Sequence, residues 1–130
     1  MLNYFSPAHN QSAFPLPYSQ VVKVGDLLFI SGQIAEDPVT GEVFTGDIAE
    51  QTRRVMENLK RILEQSGTGF NQTVMARLYL IDLNDYEAVN QVYVSYFLAH
   101  ARPCRTMVAV VGLAHQAGIE IDLIAYCEQK

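Results

Sequence analysis

The sequence predicts a small α/β domain of about five strands and two helices that works as a self-associating protein. Three observations predict it. Runs rich in β-branched residues recur at strand length along the chain, only two segments carry a helical period, and several strand segments are apolar on both faces.

Taking the elements in order, Pro7, Pro15 and Pro17 among small polar residues make residues 7–17 an extended loop. Ser19 to Val24 and Leu27 to Ile34 are strand-like runs separated by Gly25-Asp26, which reads as an antiparallel hairpin. Residues 37–46, with Pro38, Gly41 and Gly46, are turn and loop. Asp47 followed by Glu50 has the form of a capping box, and Gly67 supplies a stop. Between them Ile48, Thr52, Val55, Leu59 and Ile62 form one helical stripe, and Arg53, Arg54, Glu57, Lys60, Arg61 and Glu64 make the solvated side.

Thr73 to Ile81 is a third strand. Asn84 with Glu87 offers a cap for a second helix running to about Ala99, on which Tyr86, Asn90, Tyr93 and Phe97 share a stripe. Asn90 is then a polar group on an inward side, bracing backbone or shaping a site. Pro103 opens a fourth strand, Cys104 to Val111, whose two apolar faces suggest burial on both sides. Ile119 to Cys127 is the fifth.

Two helices shield one face of such a sheet, so the other apolar face needs cover, from a second copy of the chain or from barrel closure within it. At 130 residues, 49% hydrophobic and 18% charged, the chain fits one globular domain spanning residues 1–130. No apolar run approaches membrane-spanning length and the first residues lack a secretory pattern, so a cytoplasmic protein without membrane contact is expected. Nine Lys and Arg against fourteen Asp and Glu, a net charge of −5, disfavour nucleic acid as a partner. Cys104 and Cys127 have no metal or redox spacing and read as reduced thiols, Cys104 as a small buried hydrophobe more readily than as an activated nucleophile. His9, His100 and His115 are scattered and support neither a metal site nor a Ser–His–Asp arrangement.

Arg105 stands at the start of the most apolar strand, where a permanent charge needs a partner. Glu120 stands at the matching start of the last strand, with Asp122 on the same face. These residues read either as a structural Arg–carboxylate pair near a sheet rim or as an anion anchor beside a general acid/base. Gly32 within Ser31-Gly32-Gln33 suggests a bulge or a close backbone approach beside a ligand, and Tyr18 and Ser19 close the proline-rich loop.

The motifs that accumulate along the chain are PYSQ at Pro17 to Gln20, ISGQI at Ile30 to Ile34 and the turn from Asp37 to Gly41. They continue with QT and NL between Gln51 and Leu59, Val89-Asn90 with Tyr93, Arg102-Pro103-Cys104-Arg105, and IEID with IA from Ile119 to Ala125. In this order, over nearly the whole length, the sequence resembles the Rid/YjgF family, whose best-known branch is the reactive-intermediate deaminase RidA. The resemblance implies a chorismate-mutase-like mixed sheet of about five to six strands with two helices on one face. It also implies a trimeric barrel with sites in the clefts between subunits.

The deaminating branch hydrolyses small 2-imino acids, of the 2-iminobutanoate and 2-iminopropanoate type, to 2-oxo acids and ammonia, with no metal or cofactor implied. On that pattern Arg105 grips the substrate carboxylate and Glu120 positions or activates water, while Tyr18, Ser31, Gly32, Asn90 and Met107 line or brace the pocket. Leu16, Cys104 and Met107 stand where the family commonly has Gly, Ala and Cys. An imine already hydrolyses in water, so orientation, one carboxylate and fixed dipoles suffice as catalysts. Other readings are deamination of another substrate such as 2-aminomuconate, non-catalytic binding of small acids, and the endoribonuclease activity by which some relatives are labelled. The acidic balance speaks against the last.

Overall fold

The computed structural model describes residues 1–7 and 16–128. Its strands are β1 (Leu2–Phe5), β2 (Val21–Val24), β3 (Leu27–Gln33), β4 (Thr73–Leu80), β5 (Cys104–Ala109) and β6 (Ile119–Tyr126). The helices are α1 (Ile48–Gln65), between β3 and β4, and α2 (Tyr86–Val94), between β4 and β5. The strands form one mixed sheet in the order β1-β2-β3-β6-β4-β5, antiparallel throughout except for the parallel β4–β5 pair.

Alternation along the strands decides which side becomes the core. Ala76, Leu78 and Leu80 of β4 and Ile119, Ile121, Leu123 and Ala125 of β6 are buried with Val55, Leu59 and Ile62 of α1 and Val89 and Tyr93 of α2. The two helices therefore cover one face. The Gly25-Asp26 hairpin forms as the sequence predicts, with Val24 opposite Leu27 and Gly25 at φ +56.

α1 begins where Asp47 accepts the Glu50 N–H at 3.0 Å. The expected capping box is only half made, because the Glu50 carboxylate turns outward to Arg53 and Arg54, at 2.7 and 3.1 Å. At the other end Gly67 adopts φ +89, and the Gly67 and Thr68 N–H groups return to the carbonyls of Glu64 and Leu63. This double closure satisfies carbonyls that the helix end leaves open. Two buried amides on α1 brace loops. Gln51 donates to the Gly46 carbonyl and accepts from the Gly118 N–H, both at 2.9 Å, while Asn58 donates to the carbonyls of Ile34 and Glu36.

Four expectations need correction. The short β1 is absent from the sequence reading, since four exposed to half-buried residues carry little pattern. α2 is shorter than expected, because Ser95, Tyr96 and Phe97 bond back three residues rather than four, which keeps Phe97 on the buried stripe without prolonging the α-helix. Asn84 is no cap: its N–H donates to Asp82, which initiates a tight turn ahead of the helix. β5 lies at the edge of the sheet, so its residues, Cys104 included, are exposed or half-buried rather than buried on both sides. Of the proline-rich loop, residues 8–15 lie outside the described residues, and His9 with them. No helix among the described residues is long and apolar enough to cross a membrane.

Candidate functional site

In the parallel β4–β5 ladder Ala76 lies opposite Arg105 and Leu78 opposite Met107. Ala76 and Leu78 face the helices, so Arg105 and Met107 lean to that side as well. There Arg105 Nη1 donates to Asn90 Oδ1 of α2 at 2.6 Å, and Nη2 reaches the Tyr86 hydroxyl at 3.4 Å. The guanidinium carbon stands 5.0 Å from the centre of the Tyr93 ring and 5.7 Å from that of Tyr86. Asn90 thus fixes one edge of the fork and two aromatic rings flank it, while its charge has no carboxylate partner among the described residues.

A cleft of about 360 Å³ opens at this point, lined by Asn90, Tyr93, Val94, Arg102, Pro103 and Arg105 among others. Burial lifts the Tyr93 phenol to about 12 against the opposing pull of Arg105, so the ring is neutral at ordinary pH. Its hydroxyl is buried without a hydrogen-bond partner. Met107 packs against the margin of the core.

Glu120 belongs to a different place. Its neighbours Ile119 and Ile121 enter the core, so alternation turns Glu120 to the open face of the sheet, opposite Tyr79. On its other side the β3–β6 ladder slips between Ile30 and Gln33, which makes Ser31-Gly32 the bulge the sequence suggests. Gly32 lets the Glu120 carboxylate lie against the bulge, since a Cβ there would stand 2.5 Å from Glu120 Oε2 and push the side chain away. Ser31 ties the bulge to the segment carrying Tyr18, its hydroxyl donating to the Ser19 carbonyl at 2.8 Å and its N–H to that of Gln20 at 2.9 Å.

The electrostatics of this cluster are those of a carboxylate short of cations. Burial, then Asp122, raises the Glu120 pKa above the usual carboxylate value. Burial, then Glu36 and Glu120, raises the Tyr18 phenol. The nearby Arg77 is committed to Asp122 at 2.8 Å, which also accepts from the Tyr79 hydroxyl at 3.0 Å.

The seven predicted site residues therefore fall into two clusters. Asn90, Arg105 and Met107 stand on the helix side at the β5 edge; Tyr18, Ser31, Gly32 and Glu120 gather at the β3 bulge beside the open face. Within one chain the clusters do not meet, because β4 separates β5 from β6 and the two groups face opposite sides. Among the described residues Arg105 forms no ion pair, so the alternative reading of it as one half of a structural pair is not met either. Sequence reasoning assigned no site role to Tyr86, Tyr93 and Arg102, although the first two share the stripe of Asn90 and so were within reach of the helical period. His100 and His115 are exposed, and no group of three or more potential ligand side chains among the described residues could hold a metal ion.

The chain as a whole is similar to known proteins. The family model described as Endoribonuclease L-PSP matches residues 10–127. A RutC family protein of Pyrococcus abyssi is 49% identical over 112 residues, 86% of this chain and 87% of its own. The 2-iminobutanoate/2-iminopropanoate deaminase of Mus musculus is 37% identical over 109 residues, 84% of this chain and 80% of its own. Among solved structures, E. coli TdcF with bound serine matches with a TM-score of 0.83 at 31% identity, over 95% of this chain and 98% of that one.

Proposed function

The chain belongs to the Rid/YjgF (RutC, endoribonuclease L-PSP) family, and from that premise we propose that it hydrolyses small 2-imino acids to 2-oxo acids and ammonia, at sites shared between the subunits of a homotrimer. The observation that carries this reading is the division of the site. Arg105 stands in one cluster without a carboxylate, Glu120 stands in another without a cation, and each cluster holds what the other lacks. Exposed Leu27, Phe29, Val74 and Val108 give the chain an apolar surface by which copies could join. The name of the mouse relative supports the chemistry.

In this scheme Arg105, oriented by Asn90, grips the C1 carboxylate through its free edge. Glu120 of the adjoining copy accepts a proton from water as the water oxygen bonds to C2 and the C=N bond becomes single. The same carboxyl returns that proton to nitrogen and then relays the C2 hydroxyl proton to nitrogen as the C–N bond breaks, so that the C2–O bond becomes the carbonyl of the 2-oxo acid and ammonia leaves. Tyr18 and the Ser31-Gly32 bulge wall the site beside Glu120, and Met107 with its backbone completes the Arg105 side. Water and imine supply every atom of the products.

The test couples the protein to threonine dehydratase and follows loss of the released imine. Arg105→Ala is expected to lower kcat/KM by roughly 10- to 100-fold, the worth of a hydrogen-bonded charge. Equal rates with and without Arg105 would remove the mechanism. Mixing Arg105→Ala with Glu120→Gln subunits and reassembling them should restore about a quarter of the sites, because a mixed ring rebuilds an intact joint wherever the right neighbours meet. No recovery in mixed trimers would confine the site to one chain.

A further inference from the structure

The cleft beside Arg105 contains a second guanidinium that the reaction above leaves unused. Arg102 has φ −77 and ψ 132, an extended conformation just ahead of Pro103. Arg102 and Arg105 stand three residues apart, on either side of Pro103 and Cys104, where the chain enters β5. Both line the same cleft, together with Asn90, Tyr93, Val94 and Pro103.

Among the described residues no Asp or Glu lines that cleft and neither arginine belongs to an ion pair. Arg105 is held by a neutral amide and neutral rings, and among the described residues no side-chain hydrogen bond or ion pair holds Arg102. In a chain of net charge −5, two guanidinium groups without carboxylate partners around one concavity make a place that favours an anion. A ligand with one carboxylate leaves half of that charge unanswered.

We propose that Arg102 is a second anion anchor and that the cleft selects 2-imino dicarboxylic acids, with Arg105 on the C1 carboxylate and Arg102 on the side-chain carboxylate. Val94 and Pro103 supply the apolar wall for the methylene groups between them. The proposal rests on the deaminase reading for its reaction, in which water enters, ammonia leaves and the second carboxylate is unchanged.

The experiment has a kinetic arm and a binding arm. An amino acid oxidase generates imines in place from a monocarboxylic and from a dicarboxylic amino acid, and semicarbazide competes for them. The wild-type protein should prefer the dicarboxylic imine in kcat/KM, and Arg102→Ala should reduce that preference by about tenfold or more, with Arg102→Lys falling between. In calorimetry 2-oxoglutarate should bind at least about tenfold tighter than 2-oxobutanoate, and Arg102→Ala should abolish the difference.

If neither imine is turned over yet the binding difference appears and depends on Arg102, the dianion cleft stands and the deaminase reading falls. Equal binding of the two acids, or a binding preference unaffected by Arg102→Ala, overturns the proposal whatever the turnover. So does turnover without a dicarboxylic preference. Because Arg102 is exposed and lies outside the core, circular dichroism should show the wild-type fold in both variants.

Discussion

On the helix side of the sheet Leu78 and Ile121 keep no exposed surface, whereas on the opposite side Phe29 and Val108 remain 43% and 42% exposed. Both sets are apolar and both alternate along strands of the same sheet. The difference is what covers them: α1 and α2 finish one face, and nothing within the described chain finishes the other. One face therefore holds the chain in its fold, and the other is suited to joining it to further copies. The polar clusters follow the same division, with Arg105 beneath α2 and Glu120 on the uncovered side.

The sharpest way to break this contrast is to damage each face in turn. Leu78→Ala should destabilise the chain by about 2–5 kcal/mol, read from urea unfolding, because it opens a cavity in a packed core. Phe29→Ser should change the stability of an isolated chain far less and instead lower the mass measured by sedimentation, with far-UV circular dichroism unchanged. If Phe29→Ser left the assembly intact, the open face would not be the joint.

A subtler effect separates the clusters by pH. Burial and, after it, Asp122 raise the Glu120 pKa. Between the ordinary carboxylate value and the raised one, the folded state holds a proton that the unfolded state has lost. The stabilisation from this group is therefore complete below the ordinary value and disappears as pH rises through the raised one. Activity that needs the carboxylate should rise through the same window. Asp122→Asn should shift the acid limb of kcat/KM downward while burial keeps it above that of a free glutamate; an unmoved limb would mean that Asp122 does not act on Glu120.

The smallest effect is expected away from both faces. His115 and Gln116 hold left-handed φ values of 55 and 60 in the loop between β5 and β6. Gln116→Gly should raise the thermal midpoint modestly, by up to about 1 kcal/mol in stability, since relief of the backbone outweighs the added freedom of the unfolded chain. A lowered midpoint would show that the glutamine side chain makes a compensating contact.

Much of this architecture is readable from the residues. Gly25-Asp26 specifies a hairpin, the Val55, Leu59 and Ile62 stripe specifies α1, and Gly32 announces the bulge against Glu120. The double-sided apolarity of β5 was the misleading signal. Hydrophobicity reports the surface a residue prefers to lose, without saying whether its own chain removes it, and β5 proves to be an edge. The candidate site residues were identifiable singly from chemistry and family resemblance. Their division was not, because the sequence does not state that β4 stands between β5 and β6, and strand order decides which side chains can meet.

That strand order also sets a schedule for folding. β6 occupies the middle of the sheet, pairing with β3 across Leu27 and Tyr126 and with β4 across Leu80 and Ile119. β2 and β3 can form their hairpin early, and α1 can take shape locally, but the two halves of the sheet have no hydrogen-bonded connection until the most C-terminal strand threads between them. The principal contacts join distant parts of the chain, so loop closure precedes their reward, a topology that slows folding relative to one built from local contacts. During synthesis β3 and β4 emerge with open edges on the side that β6 will fill, and their protection from wrong partners depends on the arrival of residues 119–126.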